Sequence, residues 1–237
     1  MDMDFIAALD VGQSQDYSAI IVLQQMLGEQ WPSYALRFLQ RFPIRTSYPD
    51  IVDGVQMIVE TPQLRDRVTL LVDKTGVGAP VVDLLKKAHL PVVRLCPVTI
   101  TGGNVATRDG NEYHVPKRDL ATAVKVLLDG KRLKISTGLP QYALLVQELE
   151  AFRVKISLKT AHDSYEAWRE GDHDDLVLSV AIACWWAEQG RKKMFAHHTG
   201  KPARPAQEGV YQEVDLPRPE PAKPAPWTWG DIIRANR

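Results

Sequence analysis

Cysteine is nearly absent from this sequence: Cys96 and Cys184 are the only two in 237 residues. A pair in a chain of this length builds no disulfide framework, and these two are not at zinc-ligand spacing. Both lie in apolar segments, which suits a reducing compartment, and a cytoplasmic location is expected. Long apolar runs are missing too. None approaches the roughly 18–20 residues that span a bilayer, and the opening MDMDFIAALD is acidic where a secretion signal would be basic. No membrane association is expected. Net charge is absent, with 29 basic and 29 acidic residues, so a globally basic face for gripping a polyanion is excluded. The phosphate-cradling loop G-x-x-x-x-G-K-S/T does not occur either. TGVGAPVV, residues 75–82, lacks its lysine and misses the dinucleotide fingerprint as well. ATP-driven work is not expected of this chain.

What is present is an ordinary globular composition, 45% hydrophobic and 24% charged. FIAALDVGQSQDYSAIIVLQQ reads as a hairpin, its first strand apolar at every position and so buried on both faces. YALRFLQRFPI alternates as a third strand. PDIVDGVQMIVETPQL spaces Ile51, Val55, Ile58 and Val59 as a helix, with Gly54 as a weak point. VTLLVD is a second buried strand, and GAPVVDLLKKA opens a helix with Pro80 near its start. PVVRLCPVTI is a further strand, followed by TGGNVATRDGNEYHVP, read as a loop. KRDLATAVKVLLDGK and LPQYALLVQELEAFR are amphipathic helices around a short strand, RLKIS. DDLVLSVAIACWWAEQ is a helix apolar on most sides. The order predicts an α/β fold, a mixed sheet flanked by helices.

Composition changes after Gln189. Residues 1–190 carry a charge of −4 and residues 191–237 a charge of +4, and seven of the 16 prolines fall within 202–226. The expected division is a core domain, 1–190, a basic proline-rich linker, 191–226, and a tryptophan-containing tail peptide, 227–237. The tail reads either as a docking peptide or as a frayed end with incidental aromatics.

Carboxylates terminate the buried elements in three places. Asp10 ends FIAAL and Asp73 ends VTLLV, while Asp172, Asp174 and Asp175 crowd the start of the last helix. Acids at a helix start cap free N–H groups and complement the dipole. Capping does not explain all three together, because the like charges would repel and raise one another's pKa unless a cation sat among them. Oxygen ligands alone select a hard ion, Mg²⁺ or Mn²⁺. Two such ions about 3.5–4 Å apart can clamp an in-line displacement at phosphorus.

LDVGQSQDYSAI, LLVDKTGVGAPVVDLL, VPKRDLATAVKVLLDGKRLKIS and GDHDDLVLSVAIACWW, in that order, resemble the nuclease domain of tailed-phage terminase large subunits. The likeness spans about residues 5–188. It implies the ribonuclease H-like fold, shared with Holliday-junction resolvases, without the packaging ATPase domain. It also implies that Asp10, Asp73 and Asp175 are the catalytic metal ligands for two Mg²⁺ or Mn²⁺ ions, with Asp174 the competitor for the third place. Asp16, in the hairpin turn, is a lesser candidate to support a ligand, and His173 reads either as orienting a ligand or water or as a solvent-facing neighbour of the N-cap. The function so implied is a metal-dependent endonuclease acting on double-stranded DNA in phage genome packaging, beside a packaging ATPase, small terminase subunit or portal. A junction- or hybrid-selective nuclease of the same fold and a non-catalytic packaging adaptor are the alternatives. Lys117, Arg118, Lys131 and Arg132, in a run with six basic residues against two acids, are the expected DNA contacts. Lys117 leads because the VPKRDL position recurs beside the site in the family. Such phosphate contacts are salt-sensitive and carry no sequence information.

Overall fold

The computed structural model describes residues 5–12, 16–26, 31–159 and 174–199, the side chains of 153–159 and 190–199 excepted. Strands β1 (Phe5–Asp10), β2 (Ala19–Met26) and β3 (Ser33–Arg41) form an antiparallel meander. Helix α1 (Tyr48–Val59) then crosses to β4 (Val68–Asp73), which pairs parallel with β1. Helix α2 (Gly78–Lys87) leads to β5 (Arg94–Thr101), parallel to β4. A hairpin, β6 (Thr107–Asp109) and β7 (Glu112–Pro116), completes that side. Helix α3 (Lys117–Asp129), strand β8 (Leu133–Ile135), helix α4 (Tyr142–Lys159) and helix α5 (Asp175–Thr199) follow. The sheet has eight strands in the order β6-β7-β5-β4-β1-β2-β3-β8.

Side chains alternate across a strand, so each strand feeds two cores. Phe5, Ala7 and Leu9 of β1, with Leu70 and Val72 of β4, join the layer under α1 and α2. Ile6 and Ala8 of β1, with Leu71 of β4, join the opposite layer, covered by α3, α4 and α5. α5 is the central helix of that second layer: Leu176, Val177, Val180, Ala181, Ile182, Ala183 and Cys184 are all fully buried. That is why its sequence is apolar on most sides. The Ser179 hydroxyl lies 3.0 Å from the carbonyl oxygens of both Ala19 and Asp175, which pins the helix start to the beginning of β2.

Helix α1 tolerates Gly54 because the Phe42 ring packs there; a methyl at that position would meet a ring carbon at 2.7 Å. Its N-terminus is capped by Ser47, whose hydroxyl accepts from the Asp50 N–H. Cys96 and Cys184 are buried and unbridged, and no helix among the described residues is long and apolar enough to cross a membrane.

Three sequence readings are revised. The stretch 101–116, expected to be loop, contains the β6–β7 hairpin; β6 is only three residues long and wholly exposed, so it leaves no alternating apolar signature. The strand read from Pro91 begins at Arg94. Helix α5 continues to Thr199, through the first nine residues of the expected linker; the sequence there offers no proline before Pro202 to stop it. Residues 200–237, including the tail peptide, lie outside the described residues.

Candidate active site

Strand alternation delivers the first two carboxylates to one place. Asp10 shares the parity of Ile6 and Ala8, and Asp73 that of Leu71, so both face α5. Leu9 is level with Val72 across the parallel pair, which sets Asp10 beside Asp73 at the carboxyl ends of adjacent central strands. Asp175 opens α5 on the same face. The three are 7%, 2% and 6% exposed, which places them inside the protein rather than on a solvated rim.

Their electrostatics follow from this crowding. Burial, then the charges of Asp73, Asp175 and Asp174, push the Asp10 carboxyl well above the ordinary carboxylate range, and a hydrogen bond between the Asp10 and Asp73 side chains acts in the same sense. Asp73 is oriented by its own turn: its Oδ1 accepts the Thr75 N–H at 2.7 Å, and the Thr75 hydroxyl oxygen accepts the Ile100 N–H at 2.8 Å. The glycines of TGVG serve this turn. Gly76 has φ 66°, a region that costs other residues strain. A Cβ on Gly78 would sit 1.9 Å from the Asp73 carbonyl oxygen, so α2 starts directly against the end of β4 only because Gly78 has none.

Sequence reasoning missed two groups that complete the cluster. Glu148 of α4 is 5% exposed. Its Oε2 accepts the Val177 N–H at 2.9 Å, and its Oε1 pairs with Arg41 Nη2. Arg41 Nη2 also lies 3.1 Å from Asp175 Oδ2. Burial pushes Glu148 up to about 7, against the pull of Val177 N–H and Arg41 and with the push of Asp175 and Asp174. The available signal was position: Glu148 falls three residues after Leu145 and four before Phe152, on the buried stripe of α4. A charge on an apolar stripe demands a partner.

The other expected residues are distributed more widely. Asp174 directly precedes α5 and its charge acts on Asp10. His173 and Asp172 lie outside the described residues. Asp16 is exposed and lines an open groove of about 320 Å³ with Gly12, Ser18, Pro43, Arg45, Thr46, Ser47 and Tyr48. Lys117 opens α3 immediately after Pro116, which ends β7 at the same edge of the sheet as Asp73. Arg118 donates to the Asn104 carbonyl and so ties down the loop after β5.

Lys131 and Arg132 do not join them. They precede Leu133, which is level with Tyr34 and Gln25, one rung beyond Phe5. Asp10 is six rungs away at about 3.3 Å each, so roughly 20 Å separates the two ends of the sheet. Arg132 is moreover committed to Glu188 at 2.7 Å, with its side chain 13% exposed. Both residues were expected to bind DNA from composition alone, and β8 carries them to the far end.

The donor set suits a hard divalent cation: buried carboxylates, all oxygen, with the Asp10 carboxyl raised by burial and by its neighbours' charge. Among the described residues no three acidic, histidine or cysteine side chains already enclose a point that could hold an ion. Arg41 and the Asp10–Asp73 hydrogen bond balance the charge instead.

No protein-family model matches the sequence, and no curated protein is significantly similar to it. Solved structures are similar. The nuclease of the large terminase from thermophilic phage G20c aligns with a TM-score of 0.50 at 18% identity, over 77% of this chain and 81% of that one. The human cytomegalovirus terminase nuclease domain, Mn-soaked and inhibitor-bound, aligns at 0.48 and 15%, over 77% and 81%. The P22 large terminase nuclease domain aligns at 0.42 and 14%, over 80% and 81%. The strand order, the mixed sheet and the G20c alignment together give this chain the ribonuclease H-like fold of a terminase nuclease domain.

Proposed function

We propose that the chain is a divalent-metal-dependent endonuclease that cuts double-stranded DNA with little sequence preference during phage genome packaging. The observation that carries the reading is the burial of Asp10, Asp73 and Asp175 together at the carboxyl ends of β1 and β4 and the start of α5. Buried like charges cost stability, and a fold that brings them together at one end of its sheet has a use for them. The packaging role draws on the terminase-like motifs, and so do the expected partners, an ATPase, small subunit or portal. In this reading residues 1–190 are the nuclease domain, with α5 running on into the 191–226 segment as far as Thr199, the rest of that segment is a linker, and 227–237 is a docking peptide.

Asp10, Asp73 and Asp175 would hold the metal, two Mg²⁺ or Mn²⁺ ions, with Asp174 the neighbouring donor. Bound there, the ions supply Lewis-acid charge at the phosphate and lower the pKa of water. The chain supplies the rest. The Thr75 N–H fixes one oxygen of Asp73, leaving the carboxylate a single orientation. Burial and the neighbouring acids raise the Asp10 carboxyl, and a carboxyl ligates only once deprotonated, so activity rises with pH. Lys117, at the same sheet end, offers a phosphate contact that positions a strand without reading its sequence.

The test is cleavage of supercoiled plasmid at low salt with Mn²⁺, Mg²⁺ or EDTA, wild type beside Asp73→Asn. Metal-dependent nicking and linearisation, absent in the variant, support the reading. A folded wild type inert with both ions refutes it in favour of an adaptor. Preference for four-way over linear DNA would make it a junction nuclease.

A further inference from the structure

We infer that Glu148 and Arg41 are positioning residues for the third carboxylate of the site, holding Asp175 and the first turn of α5 where a metal ion requires them. The inference rests on the nuclease reading above and adds to it two groups that touch neither metal nor substrate.

Helix α5 begins at Asp175, with the Leu178 N–H donating to the Asp174 carbonyl. Asp174 is thus the N-cap and Val177 the third helical residue. In most helices the N-cap side chain accepts the N–H of the second or third residue. Here the third N–H goes to Glu148 Oε2, from a different helix.

The second oxygen of Glu148 is taken by Arg41, and Arg41 in turn reaches Asp175. Both oxygens of Glu148 are thus engaged by groups that border Asp175, one by Arg41 and the other by the Val177 N–H. Arg41 is itself braced. Its backbone N–H donates to Gln141 Oε1 at 3.0 Å, and its guanidinium lies 4.4 Å from the centre of the Tyr17 ring.

The aim of Arg41 depends on an irregularity in β3. The register shifts between Val22, opposite Phe38, and Leu23, opposite Leu36, which leaves Arg37 as an extra residue. Before the bulge Tyr34 and Leu36 face α5, and after it Leu39 does. Arg41 shares the parity of Leu39 and therefore faces the acids, on the rung Asp10–Ala19–Arg41. Without the extra residue it would point to the other layer. Bulges commonly re-aim a side chain beside a site in this way.

An ion pair that merely fastened α4 to β3 would also be buried, so the test needs a readout that fastening alone does not move. Mn²⁺ binding to the full chain is titrated by the loss of the free-ion EPR signal, for wild type, Glu148→Gln and Arg41→Lys, with thermal melting of each. Misplaced supporting groups typically cost 10–100-fold in metal affinity. Both variants are expected to melt cooperatively and to need at least about tenfold more Mn²⁺ for half-saturation, Glu148→Gln the more. Unchanged Mn²⁺ affinity in both folded variants, with only the melting temperature shifted, overturns the inference and leaves the nuclease reading standing. A wild type that binds no Mn²⁺ overturns both. Should Glu148→Gln fail to fold, Arg41→Lys decides alone.

Discussion

A site built from buried acids makes the metal-free protein weaker as pH rises, and Glu148 sets the scale. Its ordinary value is 4.5 and burial takes it to about 7. The native state therefore keeps a proton that the unfolded chain has released, and the unfolding free energy falls as pH climbs from about 4.5 through 7. The stabilisation is complete below the unfolded value and gone above the folded one. The difference of roughly 2.5 pH units corresponds to about 3 kcal/mol at ~1.4 kcal/mol per unit. Asp10 works in the same direction, because its carboxyl is also raised. Urea unfolding in EDTA at pH 5 and pH 8 measures the slope. Wild type is expected to lose several kcal/mol across that range, and Glu148→Gln, which carries no titrating group there, to lose about 2.5 kcal/mol less, since a part of the change already lies below pH 5. Mn²⁺ at about 100 times its Kd at pH 8 should offset about 2.7 kcal/mol of the loss. A metal-free stability that is flat or rises with pH would refute the account of the cluster.

Other perturbations separate the parts. Asp10→Asn should abolish metal-dependent cleavage while raising metal-free stability at pH 8, read by plasmid assay and urea titration; an unfolded variant would show Asp10 to be structural. Gly78→Ala places a methyl 1.9 Å from the Asp73 carbonyl oxygen and should cost about 1–3 kcal/mol or more by urea unfolding. Lys117→Ala should lower the slope of log DNA affinity against log salt by about 1, whereas Lys131→Ala, at the other end of the sheet, leaves it unchanged. Arg132→Ala uncouples the buried Glu188 and should cost about 3 kcal/mol or more in stability without touching the salt slope.

The sequence carried the fold wherever a pattern was long and regular. β1 and β4 are buried on both faces, and their unbroken apolar runs mark them as central strands. The acids were legible for the same reason, since a carboxylate closing such a run stands out against it. Short exposed elements were not: three residues of β6 carry no periodicity to read. The basic run at 117–134 shows a second limit. Its charges look continuous along the chain, but α3 spans about 20 Å at 1.5 Å per residue and deposits its two ends at opposite edges of the sheet.

Arg41 shows the deepest limit, and it has a physical cause. Counting alternation from Tyr34 and Leu36 assigns Arg41 to the layer of α1 and α2, away from the acids, and a single extra residue reverses the count. Nothing in SYALRFLQR announces that extra residue, because a bulge is set by how β3 pairs with β2 rather than by its own composition. The partner was equally hidden. Glu148 is visible as a charge on a buried stripe, yet the sequence separates it from Arg41 by 107 positions and from Val177 by 29. The two central strands could therefore be read as carriers of buried carboxylates one residue at a time. The groups that hold the third carboxylate in place emerge only from pairing, because each is recognisable only by its partner.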